Sequence, residues 1–306
     1  MRSSMISIAS WRARGKMIDT PDGAVFVVDL GAGDDTPVFV LHGFPTSSWD
    51  FAPALLRVAE HRRVVAFDFL GYGLSDKPAG YGYSLFEQAD VALRVARDLG
   101  LWRVHLWSHD MGTSVATELL ARRERGFLPI AIESYVLMNG SVHIELAELT
   151  LGQKLLKSPL GPVFAKLNSK TTFKAQMRRV FATPPADDDL DAMWELASRE
   201  DGLARMPQLI RYTEERTRFR RRWIGALERC TLPALVAWGR KDPVAVMAIA
   251  EQLAREIPGA KLETWAELGH YPQVEDPARV VATVSAFWDA CNAAASARAS
   301  FKAPAP

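Results

Sequence analysis

Trp107-Ser108-His109-Asp110-Met111-Gly112 carries the strongest chemical signal in the chain. Small residues, Ser108 and Gly112, stand two positions before and after Asp110. A strand that turns abruptly into a helix needs this layout, because only small flanking side chains fit the bend that pushes its middle residue out above a sheet. Here that middle residue is a carboxylate where a hydroxyl would give an ordinary esterase. A carboxylate is ionised near neutral pH and attacks an electrophilic carbon without help from a base. Taken alone, Asp110 reads equally well as a helix N-cap.

Three other segments fit the same chemistry. Leu41-His42-Gly43-Phe44-Pro45 ends an earlier apolar run. The backbone amide of Phe44, with that of Met111, would form an oxyanion hole. Gly239-Arg240-Lys241-Asp242-Pro243 and Glu267-Leu268-Gly269-His270-Tyr271-Pro272 follow later strand-like runs, with Asp242 and His270 28 residues apart. A lone Asp-Pro reads as a turn and a lone His as a satisfied loop residue. Together they give the order nucleophile, acid, base at the ends of successive strands, where open parallel sheets build their sites. The candidate catalytic residues are therefore Asp110, Asp242 and His270. His42, His109 and Trp107 adjoin these motifs and are candidates for substrate contacts.

The elements that must position these residues are visible as short apolar, β-branched runs at 24–30, 38–42 and 64–69 and as strand-like runs at 103–108, 131–138, 234–238 and near 261–265. Helical spacing predicts helices over 84–99 and 113–122. Strands apolar on both faces, alternating with helices, predict an α/β fold with a mostly parallel, doubly wound sheet. The rhythm breaks over about 141–228, which is rich in helix formers and holds Pro184-Pro185 and the Asp187–Asp189 run. That stretch is expected to be a helical cap inserted into one core, of which 1–140 is the first part and 229–292 the second. Residues 293–306 are rich in Ala, Ser and Pro and are expected to be a disordered tail. Residues 68–78 (DFLGYGLSDKP) are a glycine-rich turn, in which Asp68 is expected to stabilise the turn.

Composition bounds the rest. Of 306 residues, 48% are hydrophobic and 24% charged, which excludes a disordered or fibrous chain. The formal net charge of +1 leaves no bulk attraction for nucleic acid. Cys230 and Cys291 lie far apart and suggest neither a disulfide framework nor a metal site. No apolar run is long enough to span a membrane, and the N-terminus lacks a signal-peptide pattern. A cytoplasmic protein acting on a small molecule, with no metal or organic cofactor, is expected.

Five segments carry a family resemblance: HGFPTSSWDF (42–51), DFLGYGLSDKP (68–78), SHDMG (108–112), FRRRWIGAL (219–227) and HYPQVEDP (270–277). Over about 11–290 the chain resembles the α/β-hydrolase superfamily, in its aspartate-nucleophile branch of epoxide hydrolases and haloalkane dehalogenases. Within that branch it is most similar to the mesoderm-specific transcript proteins and their bacterial relatives. The resemblance implies an alkyl-enzyme ester on Asp110, hydrolysed by water that His270 activates. Haloalkane dehalogenases typically hold the halide with Asn after His-Gly and Trp after the nucleophile. Phe44 and Met111 stand there instead, and neither side chain has an N–H to donate. Fluoroacetate dehalogenases typically place Arg where Met111 stands. Epoxide opening fits better, with Tyr212, 30 residues before Asp242, as the cap tyrosine that serves the leaving oxygen. No second tyrosine lies between 141 and 211. The alternatives are a dehalogenase or esterase-like hydrolase of the same fold, or a ligand-binding or sensor protein. The five arginines of 216–222 read as a solvated helix face paired with Glu214, Glu215 and Glu228, or as a site for an anionic substrate or headgroup.

Overall fold

The computed structural model describes residues 5–302. One eight-stranded sheet organises it: β1 (Gly15–Thr20), β2 (Gly23–Leu30), β3 (Val38–Leu41), β4 (Val64–Phe67), β5 (Arg103–His109), β6 (Ala131–Met138), β7 (Ala234–Gly239) and β8 (Lys261–Trp265). Their order is β1-β2-β4-β3-β5-β6-β7-β8. The first two strands pair antiparallel, as do β2 and β4; every other neighbouring pair is parallel. This is the α/β-hydrolase fold, and the seven strand-like runs of the sequence all lie in its sheet.

Parallel strands need helical crossovers, and those crossovers cover both faces. Hence β3, β4 and β7 are buried at every position. The helix Leu85–Asp98 starts at a capping box, with Ser84 Oγ accepting from the Glu87 amide at 3.1 Å and Glu87 accepting from the Ser84 amide at 2.8 Å. The strand β1 has no strong sequence signal. Met17 and Ile18 are its only large apolar residues, no position is fully buried, and its backbone pairing to β2 supplies what its side chains do not.

Between β6 and β7 the described chain is helical, from the helix Leu151–Lys157 to the helix Arg220–Arg229. Glu118, on the helix Met111–Glu124 that follows β5, ties this segment to the sheet. Its carboxylate is fully buried and accepts from Arg222 Nε at 2.7 Å, Trp223 Nε1 at 2.9 Å and Arg122 Nε at 2.9 Å. The FRRRW motif thus grips a buried acid of the core. The arginine-rich run is solvated in part: Arg218, Arg220 and Arg221 are exposed as expected, but Arg216 is buried and the acids that pair with the run are not Glu214, Glu215 and Glu228. Arg222 pairs with Glu118, Arg220 with Glu145, and Arg216 is 1% exposed.

The tail also differs from expectation. The last helix runs Pro277–Lys302, so residues 293–302 continue it, and 303–306 lie outside the described residues. Six of those ten residues are Ala or Arg, strong helix formers that carry the helix onward. Among the described residues no helix is long and apolar enough to cross a membrane.

Candidate active site

Asp110 sits between β5 and the helix Met111–Glu124 with φ 47° and ψ −114°. A non-glycine residue there stores about 1–3 kcal/mol of strain, which the surroundings must hold in place. Two glycines make the bend possible. A Cβ on Gly112 would lie 2.2 Å from the Leu41 carbonyl oxygen, and one on Gly43 would lie 2.5 Å from Asp110 Cβ. That close approach brings the Phe44 N–H to 2.8 Å from Asp110 Oδ1. Met111 opens the helix, so its N–H has no acceptor within the helix.

The other oxygen of Asp110 lies 3.7 Å from His270 Nε2. His270 Nδ1 in turn lies 2.7 Å from Asp242 Oδ2. Asp242 accepts, so that nitrogen carries the hydrogen and Nε2 is turned toward Asp110. Asp242 is pinned by three further donors: the amides of Val244 (2.8 Å) and Ala245 (2.9 Å) on Oδ1, and Asn139 Nδ2 (2.8 Å) on Oδ2. Burial by itself lowers the His270 pKa, but the charge and hydrogen bond of Asp242, then the charge of Asp110, hold it above its ordinary 6.5. All three side chains are at most 5% exposed.

Asn139 went unnoticed in the sequence. It has φ 46° just past β6, and its Oδ1 accepts from the Gly239 amide at 3.0 Å. Its signal was available: Asn139-Gly140 closes an apolar run at the same sheet edge that carries the three acid and base residues.

The candidate substrate contacts divide. His42 is a structural histidine. Its Nδ1 donates to the Gly43 carbonyl at 2.9 Å and its Nε2 accepts from the Phe69 amide at 3.0 Å. Burial lowers its pKa, so it stays neutral. His109 is fully buried and donates from Nε2 to the backbone oxygen of His270 at 2.7 Å. Burial, then the charge of His270, push its pKa to about 3. It supports the His270 loop and does not reach the cavity. Trp107 is also fully buried, packed edge-on at 5.0 Å from Phe51 and 5.7 Å from Trp288. Trp107 and His109 lie on β5, where helices cover both faces of the sheet and enclose every side chain after Arg103. Asp68 behaves as expected, accepting the amides of Ser48 (2.8 Å) and Leu74 (2.7 Å).

Tyr212 does reach the neighbourhood of Asp110. Its ring lies 5.9 Å from that of Phe44, and burial, then the Asp110 charge, raise its pKa. Tyr72, from the glycine-rich turn, packs at 6.5 Å on the same Phe44 ring and donates to Met111 Sδ at 3.1 Å. Burial, the Tyr212 hydroxyl and Asp110 raise its pKa too. Arg216 covers this group. Its guanidinium stands 4.5 Å above the Tyr212 ring and donates to Ser114 Oγ (2.7 Å) and to the Asp110 carbonyl (3.1 Å). It makes no ion pair with a carboxylate among the described residues.

A largely apolar cavity opens onto the two groups that contact the Asp110 carboxylate, Phe44 and His270. Leu156, Phe173, Met177 and Met206 form its walls. Among the described residues no group of three His, Cys, Asp or Glu side chains is placed to hold a metal ion.

The comparisons with known proteins agree with this fold. A family model described as alpha/beta hydrolase fold matches residues 36–277. The chain is 43% identical over 273 residues to the putative hydrolase LipZ of Mycobacterium tuberculosis, covering 89% of this chain and 94% of LipZ. It is 37% identical over 284 residues to the mesoderm-specific transcript homolog protein of Homo sapiens, covering 89% and 84%. Among solved structures, haloalkane dehalogenase DbeA from Bradyrhizobium elkani superposes with a TM-score of 0.78 at 22% identity, over 92% of this chain and 99% of that one. With the elbow, the buried carboxylate–histidine line and the helical cover in place, these matches make the chain a member of the alpha/beta hydrolase family.

Proposed function

We propose that this hydrolase opens epoxides through a covalent ester on Asp110. The observation that carries the reading is the double engagement of that carboxylate. One oxygen accepts the Phe44 amide at 2.8 Å, and the other faces His270 Nε2 at 3.7 Å. An Asp Oδ attacks an epoxide carbon, and the C–O ring bond breaks with its electron pair passing to oxygen. Tyr212 and Tyr72, kept protonated by their raised pKa values, supply hydrogen bonds and a proton to that oxygen. The second tyrosine missing from the cap sequence is thus supplied by the core.

In the second step His270 Nε2 takes a proton from water while the water oxygen attacks Asp110 Cγ. The Phe44 and Met111 amides hold the oxyanion; as it collapses the bond from Cγ to the alkyl oxygen breaks, that oxygen takes the proton from the His270 imidazolium, the diol leaves, and the second water proton restores the tyrosine hydroxyl. Asp242, held in place by Asn139, keeps the ring oriented, and its charge favours the imidazolium. Neither Phe44 nor Met111 can hold a halide through a side-chain N–H, which favours an oxygen leaving group. The unpaired thiols of Cys230 and Cys291 support a reducing, cytoplasmic setting.

A single turnover in heavy-oxygen water tests the scheme. The label is expected in the Asp110 carboxylate, read by mass spectrometry of its peptide. Label found only in product would overturn the covalent route. The tyrosine assignment has its own test. The double variant Tyr72→Phe/Tyr212→Phe is expected to slow ester formation from an epoxide about 100-fold. Hydrolysis of the ester once formed should be unchanged, since the tyrosines do not serve that step. Rapid-quench measurement separates the two phases.

A further inference from the structure

We infer that the cap docks the protein onto an anionic lipid surface through the helices Leu151–Lys157 and Gly161–Leu167. Four large apolar side chains stand out from this pair: Leu151 is 69% exposed, Leu160 66%, Val163 56% and Leu167 75%. Leu160, Val163 and Leu167 fall at helical spacing, so they form one outward stripe along the second helix. Isolated exposed leucines are ordinary, but a contiguous set marks a surface that something covers.

The charges say what covers it. Residues 151–170 contain Lys154, Lys157, Lys166 and Lys170 and no Asp or Glu. Lys170 is paired with Asp191 at 2.7 Å. Lys154, Lys157 and Lys166 make no ion pair among the described residues, in a protein whose net charge is only +1. Apolar side chains interleaved with unpaired lysines suit the boundary of an anionic bilayer. Lysine is depleted in protein–protein interfaces, and a second copy on this face would set lysine against lysine.

The position of the surface links it to the site. The helix Leu151–Lys157 turns Gly152, Gln153 and Leu156 into the cavity that leads to His270, and Leu151 and Lys154 outward. A molecule dissolved in the lipid would meet the apolar cavity without crossing water. This deepens the proposed function by assigning it a lipophilic substrate class, and only that assignment rests on the hydrolytic reading; the docking itself does not.

Vesicle flotation with the full chain tests it. The protein is expected to float with phosphatidylserine-containing phosphatidylcholine vesicles and far less with phosphatidylcholine alone. Lys154→Gln/Lys157→Gln/Lys166→Gln should lower the partition coefficient about 100-fold, at roughly fivefold per lysine. Leu151→Ser/Leu160→Ser/Leu167→Ser should lower binding to both vesicle types. Both variants lie on the surface and should melt at the wild-type temperature, so a loss of binding is not a loss of fold. Asp110→Asn should float as wild type does, which keeps a failure of the chemistry distinct from a failure of docking. Absence of wild-type flotation, or flotation indifferent to the lysine changes, overturns the inference. So does a wild-type dimer that the leucine changes dissolve, since that assigns the face to a second copy.

Discussion

His270→Gln is expected to stop turnover after one covalent event, leaving the protein heavier by its substrate. The first step uses only the carboxylate of Asp110 and the donors around it. The second needs a proton taken from water, and His270 Nε2 is the base turned toward the ester. Loss of such a base slows a step by about 10²–10⁴-fold, so the ester should accumulate on the time scale of intact-protein mass spectrometry. The mass names the chemistry. An epoxide adds its whole mass, a haloalkane adds its mass without the halide, and an ester substrate adds its acyl group. A wild-type-like steady state in the variant, with no adduct, would remove His270 from the mechanism.

The pH dependence follows from the same geometry. His270 acts as a base only when neutral, so hydrolysis of the ester is lost as pH falls through its pKa. In the free protein Asp242 and Asp110 hold that pKa above the ordinary value, against burial. Esterification removes the Asp110 charge and with it one of the groups that favour the imidazolium. The acid limb of ester hydrolysis should therefore lie at lower pH than the titration of His270 in the free protein. Single-turnover rates set against an NMR titration measure the difference.

Glu118→Gln is expected to produce a large stability loss without touching the site. The Glu118 carboxylate is fully buried and joins Arg122 on its own helix to Arg222 and Trp223 of the FRRRW segment. Removing one partner of a buried ion pair costs about 3–5 kcal/mol. The lower end applies, because Arg122 keeps its contact with Asp90 and Arg222 is 20% exposed to water. Roughly 3 kcal/mol corresponds to a fall in melting temperature of about 5–10 °C. Burial raises the Glu118 pKa, but its bonds to Arg222, Arg122 and Trp223 outweigh that and bring it below 4.5. A carboxylate with a depressed folded pKa contributes its stability above the unfolded value and loses it as pH falls. The gap between wild type and variant should thus be widest near neutral pH and begin to narrow only as pH falls below the ordinary glutamate value of about 4.3. A gap that stays constant into acid would show that the charge is not what holds the two segments together.

The sequence by itself determined the sheet and the order of the candidate residues along it. Doubly buried parallel strands are rich in apolar residues, so β3 and β4 announce themselves as β-branched runs and β7 as an apolar one. Ligand sites of such a sheet lie at strand C-termini, which is why Asp110, Asp242 and His270 were legible as a candidate set. The edge strand β1 was not legible, because backbone pairing to β2 and not side-chain burial holds it. Only the tertiary structure decided which neighbours of those motifs work at the site. Burial and hydrogen-bond partners are long-range properties, absent from local pattern. They make His42 and His109 neutral supports, bring Tyr72 to Phe44 and Met111 and Asn139 to Asp242 from separate turns, and bury Arg216 in a run that reads as a charged surface. They also leave Leu151, Leu160 and Leu167 exposed where apolar spacing alone would place them inside.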